Sequence, residues 1–315
     1  MDYMRVGTTY YKIDKRPLVS GVSICEYVTW SIECIKQDHD KYFIASIPKY
    51  DGFCFVPSHL PYQRVIDKFY NRYNPFVHVP KPGYPKNTLI FLNHIFGDQL
   101  EIGLDYLKIL LIHPTQILPI LCLVSTEKHT GKTTFLNFLK AIFSDNMTLN
   151  RNEDFRSNFN AEWAHKLLIG VDETFLDRKE DSERLKRLST SKYYKVEAKG
   201  QDRQEIEFFG KFILCSNNED NFIYMESNEI RYWILKLPRL IQANTNLLSE
   251  LKAEIPVFIN YLIERPFSTK PTTRMWFSPD ELPQRPLPGL KNITVTNWKQ
   301  RWHKSYWVFL ITGMM

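Results

Sequence analysis

The chain has 315 residues, 43% of them hydrophobic and 14% aromatic, with a formal net charge of +6. A composition this apolar can bury a sizeable core, which excludes wholesale disorder, and the length suits about two domains. Met1–Thr9 has no long apolar run, which speaks against a secretory leader. No stretch reaches the roughly 18 apolar residues a spanning helix needs, so no membrane association is expected. The cysteines Cys25, Cys34, Cys54, Cys122 and Cys215 form no CxxC pair and no Cys/His cluster, which argues for reduced thiols rather than a zinc site.

In chain order, residues 1–75 form a mixed N-terminal region of short apolar runs and turns such as Ile47-Pro48 and Leu60-Pro61. Residues 76–115 are a helical lead-in, with helical apolar spacing from Thr88 to Leu111 after a Pro/Gly-rich loop. Residues 116–240 alternate apolar strand-like runs with amphipathic segments, which predicts an α/β core with a parallel sheet flanked by helices. Residues 241–315 make a C-terminal region, with a helix over Leu247–Ile263 followed by a proline-rich basic stretch. Arg184–Arg203 carries seven Lys/Arg against two acids, and Arg265–Lys304 carries eight against Asp280 and Glu281. Such clusters suit a polyanion, or equally a solvated surface.

Within the core, the apolar run Ile117–Ser125 reads as a buried strand. A polar loop follows (Thr126, Glu127, Lys128, His129, Thr130), then Gly131-Lys132-Thr133-Thr134 and a segment of helical spacing from Phe135 to Phe143. Strand, loop and helix in this order make a phosphate site, because the unpaired N–H groups and dipole at a helix start favour an anion. Residues 127–134 are the expected nucleotide-binding stretch. Gly131 permits close backbone approach, Lys132 reaches the β/γ-phosphates and Thr133 offers a hydroxyl to Mg2+. Thr126 stands where the pattern G-x-x-x-x-G-K-[ST] has its first glycine. A second strand ends in Asp172-Glu173, expected to hold Mg2+ and to act on the attacking water, respectively. A third, from Gly210 to Ser216, ends in two amides, of which Asn217 is chosen over Asn218 to position that water. Arg231, among apolar and aromatic residues, is either an arginine finger for a neighbouring copy or an Arg paired with an acid of its own domain.

Those parts, in this order, resemble the superfamily 3 helicases, and in particular the helicase portion of phage-type and poxvirus-type primase–helicases. The resemblance spans about residues 70–240 and is carried by Thr130-Gly131-Lys132-Thr133, Leu168-Ile169-Gly170-Val171-Asp172-Glu173 and Leu214-Cys215-Ser216-Asn217-Asn218. Leu185–Ser189 through Lys199-Gly200 and the upstream Asn74-Pro75-Phe76 also match. It implies an AAA+-like ATPase using ATP and Mg2+, and a homo-hexameric ring whose sites are each completed by Arg231 of the next copy. It further implies single-stranded or forked DNA as substrate, a primase supplied separately, and a bacterial or virus-infected host cytoplasm. The alternating pattern of Tyr193–Phe209 predicts a hairpin, which in such helicases projects into the channel. Lys195 and Lys199 would then meet DNA phosphates. The interleaved Trp298, Trp302 and Trp307 fit core aromatics better than base stacking. The competing reading is a nucleotide-regulated loader or assembly module that binds DNA without unwinding it.

Overall fold

The computed structural model describes residues 2–17, 23–40, 42–156, 162–174, 176, 178–196, 204–219, 222–224, 229–240 and 244–282. In the N-terminal region β1 (Tyr3–Val6), β2 (Thr9–Pro17) and β3 (Ser23–Trp30) form an antiparallel meander. Gly7, at φ +57°, supplies the left-handed step of the first turn. Two short helices follow, α1 (Ile32–Asp38), capped by the Ser31 hydroxyl, and α2 (Phe43–Ser46). β4 (Lys49–Tyr50) then pairs in parallel with β1. A small second sheet, β5 (Gly52–Cys54), β6 (Val65–Ile66) and β7 (Phe69–Asn71), is ordered β5-β7-β6.

The lead-in is two helices rather than one unbroken run. α3 (Lys86–Phe96) stops at Gly97, whose φ of +55° no helix continues through, and α4 (Leu100–Ile112) restarts after a 3-10 turn. The core then runs β8 (Ile120–Val124), α5 (Lys132–Phe143), β9 (Met147–Asn150), α6 (Asn152–Arg156), β10 (Leu168–Val171), α7 (Lys179–Thr190), the hairpin β11 (Tyr193–Val196) and β12 (Gln204–Glu207), β13 (Lys211–Ser216) and β14 (Tyr232–Lys236). α8 (Leu247–Glu264) is the last helix among the described residues.

β8, β9, β10, β13 and β14 form one five-stranded sheet in the order β14-β8-β13-β10-β9, with every pairing parallel. All residues of β8, β10 and β13 are buried, as continuous apolar runs covered on both faces require. Strand alternation divides them between two cores. Leu121, Leu123, Ile213 and Trp233 pack with α3, α4, α5 and α8, whereas Ile120, Cys122, Val124, Leu214 and Ile234 pack with α7 and Trp163. Past α8, buried Asp105 on α4 accepts from the Arg265 guanidinium at 2.5 Å and from the Ser268 and Thr269 amides and hydroxyls at 2.8–2.9 Å. Among the described residues no helix is long and apolar enough to cross a membrane.

Candidate nucleotide site

A parallel sheet delivers the ends of its strands to one edge, where ligands of open α/β sheets gather. Here β8 ends at the candidate phosphate loop, β10 at Asp172-Glu173, β13 at Asn217 and β14 at Lys236. Because β13 lies between β8 and β10, the amide tip sits between the phosphate loop and the acidic pair.

The loop is held from several sides. His94 Nε2 on α3 meets the Thr130 carbonyl at 3.0 Å, so this ring nitrogen carries the proton. The Leu240 amide donates to the His129 carbonyl at 3.0 Å, and the Glu127 amide donates to the Ser125 hydroxyl at 3.2 Å. Gly131 caps α5 in the left-handed conformation, φ +86°, and a Cβ there would lie 3.1 Å from the Phe91 ring. The second left-handed step falls on His129, φ +58°. Thr126 is not among the positive-φ residues, so its backbone asks for no glycine. Glu127, Lys128 and His129 are exposed, Thr130 and Gly131 are buried, and Thr134 is half-buried.

Lys132 is buried, and its ammonium donates to the Ser125 carbonyl at 3.3 Å and the Thr130 hydroxyl at 3.1 Å. Burial pushes its pKa below the ordinary lysine value, opposed by the nearby Cys215, Asp172 and Glu219. The Thr133 hydroxyl donates to Asp172 Oδ2 at 2.8 Å across 39 residues of sequence. The other Asp172 oxygen accepts from the Glu173 amide at 3.1 Å. Glu173 is exposed in a left-handed conformation, φ +55°, and its carbonyl accepts from the Asn152 side chain at 3.1 Å. Asn217 is exposed at the tip of β13, while the Asn218 amide donates back to Ser216 Oγ at 3.1 Å. Thr133 and Asp172 together present hard oxygen donors, the set that suits Mg2+. Among the described residues no group of three or more His, Cys, Asp or Glu could hold a metal. A Mg2+ shared with phosphates needs only one or two protein oxygens.

Two residues absent from the sequence reading belong to this edge. Buried Glu219 accepts from the Thr126 amide at 3.0 Å with one oxygen, and with the other pairs with Lys236 Nζ at 2.5 Å. Burial alone would raise its pKa, but hydrogen bonds from Lys236 and Thr126 outweigh that and hold it below the ordinary glutamate value.

Arg231 is elsewhere. It precedes β14, at the sheet's opposite edge, and its Nη1 pairs with Glu229 of its own chain at 3.1 Å. Glu229 in turn meets buried Lys186 at 3.0 Å. The expected hairpin is present as β11–β12, with exposed Lys195 opposite Glu205. Its Tyr194 stacks on Trp163 with ring centroids 5.9 Å apart. Lys199 lies outside the described residues, as do Trp298, Trp302 and Trp307.

Residues 123–231 match a family model described as a family of unknown function, DUF5906. No curated protein matches the chain. Among solved structures, the apo structure of the NrS-1 C-terminal region (305-718) is similar at a TM-score of 0.66 and 18% identity, over 84% of this chain and 67% of that one. Its A form gives the same values. JCV helicase with a bound small molecule is matched at a TM-score of 0.40 and 13% identity, over 58% of this chain and 55% of that one. That score is too low to separate one parallel-sheet NTPase from another. The likeness to the NrS-1 region shows a shared fold, here the five-stranded parallel sheet flanked by helices.

Proposed function

We propose that the chain is an ATP-dependent DNA helicase of the superfamily 3 type, acting in replication of a phage, virus or mobile element. The observation that carries the reading is the 2.8 Å contact between Thr133 and Asp172, at the edge where Lys132 and Asn217 also emerge. In this reading the backbone N–H groups of residues 130–134 and the Lys132 ammonium bind the β- and γ-phosphates. Thr133 and Asp172 would hold a Mg2+ whose charge neutralises the phosphate oxygens. Glu173 takes a proton from the attacking water while Asn217 orients it, and ADP and phosphate leave. Arg231 precedes β14, at the amino ends of the strands, so in this reading it would complete the site of a neighbouring copy in a homo-hexamer. Lys195 and Lys199 would grip the phosphates of single-stranded or forked DNA.

The test is ATP hydrolysis with and without single-stranded DNA, followed by strand displacement on a fork. DNA-stimulated turnover is expected in the wild type, with a loss of about 100-fold or more in Lys132→Ala and Glu173→Gln, the scale on which groups acting on the transition state are felt. No hydrolysis under any condition would overturn the reading. Hydrolysis without displacement would favour the loader.

A further inference from the structure

A carboxylate beside a polyphosphate site opposes its own ligand unless something neutralises it. Glu219 is such a group. Its side chain is only 6% exposed, and it grips the Thr126 amide in the phosphate loop itself. It is also among the charges felt by Lys132. The ends of three strands meet on this one side chain. β13 leads into it through Asn217 and Asn218, β8 is tied to it by the Thr126 amide, and β14 reaches it through its last residue, Lys236. Lys236 is 47% exposed, so it supplies its charge from the solvent side while the carboxylate stays buried.

We infer that Glu219 is a positioning residue that holds the phosphate loop in register with the amide tip at Asn217, and that Lys236 is its obligatory counter-charge. In the proposed site, on which this inference rests, the pair presents no net charge to the nucleotide. A Glu219 stripped of Lys236 keeps its grip on Thr126 but turns its negative field on the phosphates. The defect in a Lys236 variant is therefore electrostatic, and a second change that removes the carboxylate's charge while keeping its acceptor oxygen relieves it. Glu219→Gln is that change.

The experiment is titration of the full chain with a fluorescent ATP analogue in Mg2+, with Tm recorded for every variant. Lys236→Met is expected to weaken binding about tenfold, which corresponds to about 1.4 kcal/mol. Lys236→Arg, which keeps the charge, should recover most of that loss. So should the double variant Lys236→Met/Glu219→Gln, whereas Lys236→Met/Glu219→Ala, which also cuts the tie to Thr126, should not. Wild-type affinity in Lys236→Met would overturn the inference, and so would a Glu219→Gln double variant no tighter than the single. Lys132→Ala separates the two levels. If the wild type binds and Lys132→Ala does not, while Lys236→Met is unaffected, the nucleotide site stands and only the counter-charge role fails. If the wild type does not bind the analogue, both fail.

Discussion

Thr126 occupies the position where the phosphate-loop pattern has glycine, yet the loop's left-handed steps lie three and five residues later, at His129 and Gly131. The departure from pattern is thus a matter of sequence, not of backbone strain. Putting glycine back at 126 gives the loop nothing it lacks and adds freedom to the unfolded chain. Thr126→Gly should lower the unfolding free energy by roughly 0.5–1 kcal/mol without tightening nucleotide binding, as chemical denaturation and titration would read. A clear gain in affinity would show that Thr126 is a compromise after all. The placement of Gly131, Lys132 and Thr133 was legible in the sequence because strand, loop and helix announce themselves locally, and that of Asp172 because it ends a second apolar run. Glu219 was not. Its meaning lies in a contact with Thr126 across 93 residues, and no local pattern marks an acid two residues past an amide tip as a loop clamp. The sequence leaves Arg231 two roles, and its pairing with Glu229 accounts for the half-buried guanidinium within the chain.

Among the elements, β8 and β13 were readable because both faces of each are covered, so the apolar runs are continuous. β9 was not, since Met147–Asn150 is a short edge strand with mixed burial. The lead-in read as one helical stretch because apolar spacing survives across Gly97, where the backbone reverses sign. The N-terminal sheets escaped detail for a similar reason, being built of strands as short as two residues. One contact between the N-terminal region and the core is His59, between β5 and β6. Its Nδ1 donates to the Leu111 carbonyl at the end of α4 at 2.8 Å, and its Nε2 accepts from the Tyr73 hydroxyl at 2.7 Å. Burial pushes its pKa down to about 4; the Leu111 carbonyl works the other way, and Lys211 adds to the depression. The folded state therefore refuses a proton that the unfolded chain accepts near pH 6.5, and stability is lost as pH falls from 6.5 toward 4. His59→Gln should lose stability less steeply over that window, the difference in slope being at most about 1.4 kcal/mol per pH unit. Parallel slopes in denaturant titrations at pH 7, 6, 5 and 4.5 would remove His59 from the account.

At the scale of the molecule, the parallel sheet sorts function by polarity. Everything proposed to touch the chain's own nucleotide leaves from carboxyl ends of strands, and Arg231, proposed to serve a neighbouring copy, enters from an amino end. The five residues of β14 separate the two edges by about 16 Å, at roughly 3.3 Å per residue. The α/β class and the strand–loop–helix order followed from the sequence, whereas the separation of Arg231 from the loop follows from the parallel pairing of β14 with β8.

That distance has a genetic consequence. Under the proposed role for Arg231, two broken copies repair one another. A copy disabled at Lys132 still lends its arginine, and a copy disabled at Arg231 still offers a sound phosphate loop. Mixing purified Lys132→Ala and Arg231→Ala proteins should restore hydrolysis that neither has alone, up to a fraction of the wild-type rate set by chance pairing. Each mutant alone should poison the wild type when added in excess. If the mixture stays as dead as its parts, Arg231 serves only Glu229 within its own chain.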